Sequence, residues 1–301
     1  MTTPTATSSI PGAEARSLRV PGATLTYDIR TSDGTTEPPL VLIGSPAGAG
    51  GFPSLASHFA DRTIVSYDPR NNGEGRSTAD DPSVPITPEI QADDVHAVIE
   101  AIGGGPVDMF ASSGGAIVSL ALVAKYPNDI RTLVAHEPPF ASLVPDREQA
   151  LAANRAIHDA YMAGGAGAGM GKFMQVVLHG GEFTPEVVSA PGFDPAMFGM
   201  PAGEDDGVRT DLMLAHNIVY LTSFEPDFEA IKRAPTRVVL AIGEDSNGNL
   251  AQRGGEAAAE RLGSEAVKFP GDHGGFMGGE YGQPPGKPVE FAAKLREVLA
   301  G

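Results

Sequence analysis

Five continuous apolar runs constrain this chain more than any other feature: PLVLIG (39–44), TIVSYD (63–68), VDMFA (107–111), IRTLVAH (130–136) and TRVVLAIG (236–243). None alternates between apolar and polar residues, which is the pattern of a strand buried on both faces. Helical segments separate them. PEIQADDVHAVIEAIG (88–103) sets Ile90, Val95, Val98 and Ile102 at helical spacing, with Thr87 as N-cap and Glu89 in the first turn. GAIVSLALVAKYP (115–127) is a more apolar helix stopped by Pro127, and GEAAAERLG (255–263) and PVEFAAKLREVLA (288–300) are the last two, with AVKFPG (266–271) as a strand between them. At the start, SLRV (17–20) and TLTYDIR (24–30) flank Pro21-Gly22-Ala23 and read as an antiparallel pair. Strands alternating with helices of this length predict an α/β fold, a mostly parallel central sheet with helices on both faces.

The alternation stops between residues 138 and 234 and resumes with a strand directly afterwards. That interval predicts an inserted helical cap. The expected organisation is a disordered tail over 1–15, a core from 16–137 and 235–301, and the cap over 138–234. The cap carries Met162, Met170, Met174, Met197, Met200 and Met213, which fill its core or line a pocket. Its GGAGAGMG stretch (164–171) reads as a mobile joint or a surface loop.

Charge and composition exclude several classes. With 21 basic against 38 acidic residues and a net charge of −17, neither a nucleic acid nor an anionic membrane surface is an expected partner. There is no cysteine, hence no thiolate nucleophile and no disulfide. No two of the 7 histidines sit at HxxxH or HExxH spacing, so neither a metal nor another cofactor is expected. The N-terminal MTTPTATSSIPGAEA has neither a basic start nor an apolar segment, and a cytoplasmic location is the expectation.

The stretch FASSGGAIV (110–118) lies between a strand and a helix. A nucleophile elbow turns so sharply there that small residues are needed two positions before and two after the nucleophile. Around Ser113 these are Ala111 and Gly115; around Ser112 they would be Phe110 and Gly114, and phenylalanine does not fit. Ser113 is therefore the candidate nucleophile. The Gly114 N–H, at the start of the following helix, is a candidate oxyanion donor.

The base to match it is His273, in KFPGDHGGF, beyond the last strand and before the last helix. Open α/β sheets build their sites at that end of the strands. His58, His96, His158, His179 and His216 fall in predicted helices or the cap, and His136 ends a buried strand. In VLIGSPAGAGGF a second oxyanion donor is expected at Ser45, because Pro46 has no N–H and Gly44 gives the close turn. The same loop is a poor dinucleotide site: from Gly48 the pattern ends in Pro53 where glycine is required.

Taken together these motifs resemble the α/β-hydrolase superfamily over nearly the whole chain. Gly44-Ser45-Pro46 resembles its HGxP turn, with Ile43 in place of histidine, and YDPRNNGEGRS (67–77) its D-x-R-G-x-G-x-S stretch, with Asn71 departing from glycine. ASSGG resembles its elbow and FPGDHGGF its histidine loop. The resemblance implies a Ser-acid-His triad, and two acids satisfy that order. Asp245, in AIGEDSNG, follows the strand that usually carries the family's acid, although Ser246 occupies the usual slot. Glu137, in VAHEPPF, follows the earlier strand, where some branches place it, and VAHEPP is also similar to the zearalenone-lactonase-like hydrolases. A carboxylate between a buried strand and two prolines is costly unless paired. Glu137 is favoured and Asp245 is the alternative.

The expected activity is serine hydrolysis of a carboxylic ester or lactone through an acyl-enzyme. The expected partner is a small-molecule substrate with an apolar part, given Phe173, Phe183, Phe193 and Phe198 in the cap. The expectation leaves room for a homodimer. A cofactor-free perhydrolase or lyase on the same fold, or a non-catalytic binding protein, are the alternatives.

Overall fold

The computed structural model describes residues 7–70, 75–81, 84–198 and 205–301. Asn71 and its three successors, and Met200, lie outside the described residues. The chain opens with β1 (Glu14–Val20), β2 (Ala23–Arg30), β3 (Leu40–Ser45), α1 (Pro53–Ser57), β4 (Ile64–Tyr67), β5 (Thr78–Ala79), α2 (Pro88–Ala101), β6 (Val107–Ser113), α3 (Gly114–Lys125) and β7 (Ile130–His136). Between β7 and the next strand come α4 (Arg147–Val177), α5 (Pro185–Ser189), α6 (Ile218–Ser223) and α7 (Phe228–Arg233). The chain closes with β8 (Arg237–Gly243), α8 (Leu250–Leu262), β9 (Val267–Phe269) and α9 (Pro288–Ala300).

The strands form one sheet in the order β1-β2-β4-β3-β6-β7-β8-β9, with β5 beside β2. The pairs from β4 through β9 are parallel, and β1, β2 and β4 pair antiparallel. Successive residues of a strand face opposite sides, and the buried residues divide accordingly. Val41, Ile43, Met109, Ala111, Leu133 and Ala135 pack with α2 and α3. Leu40, Leu42, Phe110 and Val134 pack with α1 and α9 on the other face. Continuous apolar runs are therefore what these strands require.

Two expectations need correction. The tail predicted over 1–15 is structured from at least Ser9: the Ser9 and Ile10 N–H groups donate to Asp28 at 2.7 and 3.2 Å, and Ile10 is buried. Local polarity gave no sign of this, because the buried Asp28 that needs those donors lies on β2. The GGAGAGMG stretch is helical, within α4, rather than a loop. Its glycines allow close approach. Gly165 kinks the helix at φ 75°, and a Cβ at Gly171 would stand 2.1 Å from the Phe193 carbonyl oxygen. Glycine's low helix propensity is overridden by these contacts.

A third apolar cluster joins α4 to the segment preceding α6 and to Leu250 of α8. That cluster holds α4 to the residues before α6, whereas Leu221 of α6 and Phe228 and Ile231 of α7 pack with α3 in the first cluster. No helix among the described residues is long and apolar enough to cross a membrane.

Candidate active site

The turn from β6 into α3 is as tight as its sequence requires. Ser113 closes β6 with φ 59° and ψ −130°, a strained conformation for a residue with a side chain. At Gly115 a Cβ would meet the Ile43 carbonyl oxygen at 2.7 Å and the Gly44 Cα at 2.9 Å. At Gly114 it would meet the Ser45 carbonyl oxygen at 2.7 Å. Ser45 and Ser113 are register partners on β3 and β6. Both loops thus meet at one end of the sheet, beside the N-terminus of α3.

Glu137 follows β7 with φ 48° and is fully buried. Its Oε1 accepts the Gly243 N–H at 2.8 Å, and its Oε2 lies 2.7 Å from His273 Nδ1. Burial by itself would raise the Glu137 pKa, but the hydrogen bond from His273 and the neighbouring positive charge bring it down to about 2. Burial likewise works against the His273 cation, yet the hydrogen bond and charge of Glu137 hold its pKa above the ordinary imidazole value.

The other acid is placed differently. Asp245 has a largely exposed side chain and accepts from Lys287 Nζ at 2.8 Å. Asp272 turns back to accept its own loop's Gly274 N–H at 2.9 Å. The structure therefore brings His273 to Glu137 and not to either aspartate.

His136 sits behind this pair. It is fully buried among Phe110, Phe269, Phe276 and Phe291, and its ring centre is 6.1 Å from that of His273. Its Nδ1 is 3.2 Å from Ser112 Oγ. Burial lowers its pKa to about 4, so the ring is neutral at physiological pH.

Part of the YDPRNNGEGRS stretch supports the neighbouring loops. Asp68 Oδ1 accepts the Ala49 N–H at 2.8 Å, just after β3. Arg70 makes a two-point pair with Asp94 of α2 at 2.6 Å.

Ser45, Ser113, Gly114 and His273 open into a cavity of about 500 Å³. Its opposite wall is apolar and includes Phe173, Met174, Val177, Met213, Ile218 and Leu221. Of the methionines singled out in the sequence, Met174 and Met213 line this cavity, whereas Met162 and Met197 are exposed. Phe183 belongs to the apolar cluster beneath α4, and Phe193 is exposed. A recess of about 570 Å³ near Lys172 and Phe193 has no lining residue in common with this cavity. Asp245 and Asp272 also reach the cavity, but no lysine or arginine does among the described residues. Two contributors carried no sequence signal. The Gly243 N–H is a backbone group, and Asn217 reaches the wall through a π-helical turn.

Residues 38–206 match the family model described as alpha/beta hydrolase fold. The uncharacterized hydrolase YraK of Bacillus subtilis (strain 168) is 28% identical over 297 residues, covering 94% of each chain. Among solved structures, an alpha/beta hydrolase from Sphaerobacter thermophilus (DSM 20745) superposes with a TM-score of 0.60 at 21% identity, covering 94% of this chain and 100% of the other. An esterase from Exiguobacterium antarcticum gives a TM-score of 0.64 at 14% identity, covering 94% and 97%.

Proposed function

The chain belongs to the alpha/beta hydrolase fold family, and we propose that it is a serine hydrolase that cleaves a carboxylic ester or lactone through an acyl-enzyme. The observation that carries this reading is the 2.7 Å contact between His273 Nδ1 and the buried Glu137 carboxylate, with Ser113 in the same cavity. A proton on Nδ1, shared with Glu137, leaves Nε2 unprotonated and able to take the Ser113 proton. Ser113 then attacks the carbonyl carbon. The Gly114 and Ser45 N–H groups receive the oxyanion. His273 returns the proton to the leaving alcohol and afterwards activates the water that frees the acid.

The cavity favours an uncharged substrate with an apolar part. Its wall is apolar, and the carboxylates that reach it among the described residues, Asp245 and Asp272, disfavour anions. The esterase among its structural neighbours is consistent with this chemistry.

The test is hydrolysis of short-chain p-nitrophenyl esters by the wild-type protein and by Ser113→Ala. Turnover that depends on Ser113 is expected. Equal rates for the two proteins sink the reading, and a protein that binds esters without turning them over is instead a binding module.

A further inference from the structure

β8 ends at Gly243, and the chain folds back over that residue within three positions. The Ser246 N–H approaches the Gly243 carbonyl at 3.5 Å, and Asn249, the N-cap of α8, donates its N–H to the Ser246 carbonyl at 3.2 Å. This turn carries the Ser246 side chain onto Gly243. A Cβ at Gly243 would stand 2.6 Å from Ser246 Oγ and 2.7 Å from the Gly271 carbonyl oxygen. Only glycine leaves room there for both the serine and the histidine loop. The same Gly243 supplies the N–H that holds Glu137 Oε1 at 2.8 Å. The Ser246 hydroxyl and the Glu137 carboxylate therefore meet at one glycine.

Ser246 is 5% exposed, and in the rotamer observed its Oγ is closed to solvent and satisfies no acceptor. A buried hydroxyl left in that state is destabilising, and alanine at this position would remove the penalty. Because neither water nor a ligand in the cavity reaches Oγ, its acceptor has to come from the protein. The Gly243 and Gly271 carbonyls already face the N–H groups of Ser246 and Asp245. Glu137 is the charged neighbour. Gly243 and His273 occupy one position on each of its oxygens, whereas a carboxylate can accept about four hydrogen bonds. Ser246 is also among the groups that hold the Glu137 pKa down.

We propose that Ser246 is a positioning residue for the Glu137–His273 pair, its hydroxyl turning to donate to the Glu137 carboxylate and fix its orientation. The catalytic meaning of this contact rests on the serine-hydrolase reading; the contact itself does not. A third donor spreads the carboxylate charge, so Glu137 holds the His273 cation less tightly. Without it Glu137 is the stronger base, and His273 keeps its proton to higher pH. The other titratable groups around the pair are His136 behind it, Asp272 beside His273, and Asp245 with Lys287 nearer solvent. A substitution at Ser246 leaves all of these in place.

The experiment titrates the His273 ring by NMR in the wild type and in Ser246→Ala, its signal identified by its absence from His273→Gln. In Ser246→Ala the midpoint is expected to move to higher pH, and the acidic limb of kcat/KM with it. On a p-nitrophenyl ester, kcat at its plateau should fall roughly fivefold with KM unchanged. Ser246→Thr keeps a hydroxyl and should keep the wild-type midpoint. Ser246→Cys, a weak donor of similar shape, should shift it in the same direction as alanine, and preserves the test if alanine disturbs the turn. In a Glu137→Gln background the shift from Ser246→Ala should vanish, whereas a merely structural serine would act alike in both backgrounds. A midpoint that neither alanine nor cysteine moves, or that moves equally in Glu137→Gln, overturns the proposal. Failure of the hydrolase reading is seen separately, as wild-type turnover that does not depend on Ser113, and it leaves the titrations interpretable.

Discussion

His273 Nδ1 lies 2.7 Å from Glu137 Oε2, and the same carboxylate is held from its other oxygen by the Gly243 N–H at 2.8 Å. Two donors fix the carboxylate plane, and the carboxylate fixes the imidazole. The histidine comes from the loop beyond β9, the acid from the end of β7 and the amide from the end of β8. The pair thus depends on three neighbouring elements of the sheet rather than on one flexible loop. It also gives Glu137 a reason to be buried, since a carboxylate removed from water without partners is strongly disfavoured.

Glu137→Gln is expected to lower kcat on a p-nitrophenyl ester by roughly 10⁴-fold, the scale seen when a triad acid becomes an amide and the imidazole loses its tautomer. Asp245→Asn is expected to retain most of the activity, because Asp245 is paired with Lys287 near solvent. Steady-state kinetics of the two variants decide between the acids. The reverse pattern moves the acid to Asp245.

The pH dependence follows from the same pair. Glu137 holds the His273 pKa above its ordinary value of 6.5. As a base His273 must be neutral, so the acidic limb of kcat/KM should have its midpoint above that value. In Glu137→Gln the raising influence is gone, and the limb of the residual activity should move to lower pH. A limb that stays in place would detach the titration from this contact.

The parts of the fold readable in the sequence are those set by sterics and burial. Residues on both faces of β3 and β6 are apolar because helices cover both faces. Ala111 and Gly115 stand out around Ser113 because the strand-to-helix turn leaves no room for more. Glu137 stands out because it is charged at the end of a buried strand. Other features have no such signature. The Gly243 N–H is present whatever the side chain, and a π-helical turn at Met213–Asn217 reads like ordinary helix. The glycines of α4 look like a loop by propensity, and only the facing Phe193 and Asp205 show why a helix passes through them.

Gly115→Val is expected to destabilise the protein and to disable the site. Its Cβ would meet the Ile43 carbonyl oxygen at 2.7 Å, against backbone that cannot swing away as a side chain could. Overpacking of this kind costs about 1–3 kcal/mol. A lower melting temperature together with lost esterase activity is the expected result. Normal values of both would mean that the β6–α3 turn is looser than its geometry indicates.

His136 should make stability depend on pH between about 6.5 and 4, and a substitution can isolate the effect. Its pKa is about 4 in the folded protein against an ordinary 6.5. The unfolded chain therefore binds the proton first as pH falls. The stabilisation from the neutral buried ring is complete above 6.5 and is lost on the way down to about 4, by an amount of order 3 kcal/mol. Glu137, with its pKa lowered from 4.5 to about 2, contributes the same sign but only below 4.5. His273, with its raised pKa, contributes the opposite sign: its stabilisation is present below 6.5 and fades as pH rises through its folded value. His136→Phe removes the first contribution and also takes the His136 charge away from Glu137, whose own contribution acts only below 4.5; phenylalanine suits the surrounding Phe110, Phe269, Phe276 and Phe291. The melting temperature of the wild type should therefore fall more steeply from pH 6.5 to 4 than that of the variant. Parallel curves would mean that His136 takes up no proton on unfolding, and that its burial among the four phenylalanines does not set its charge.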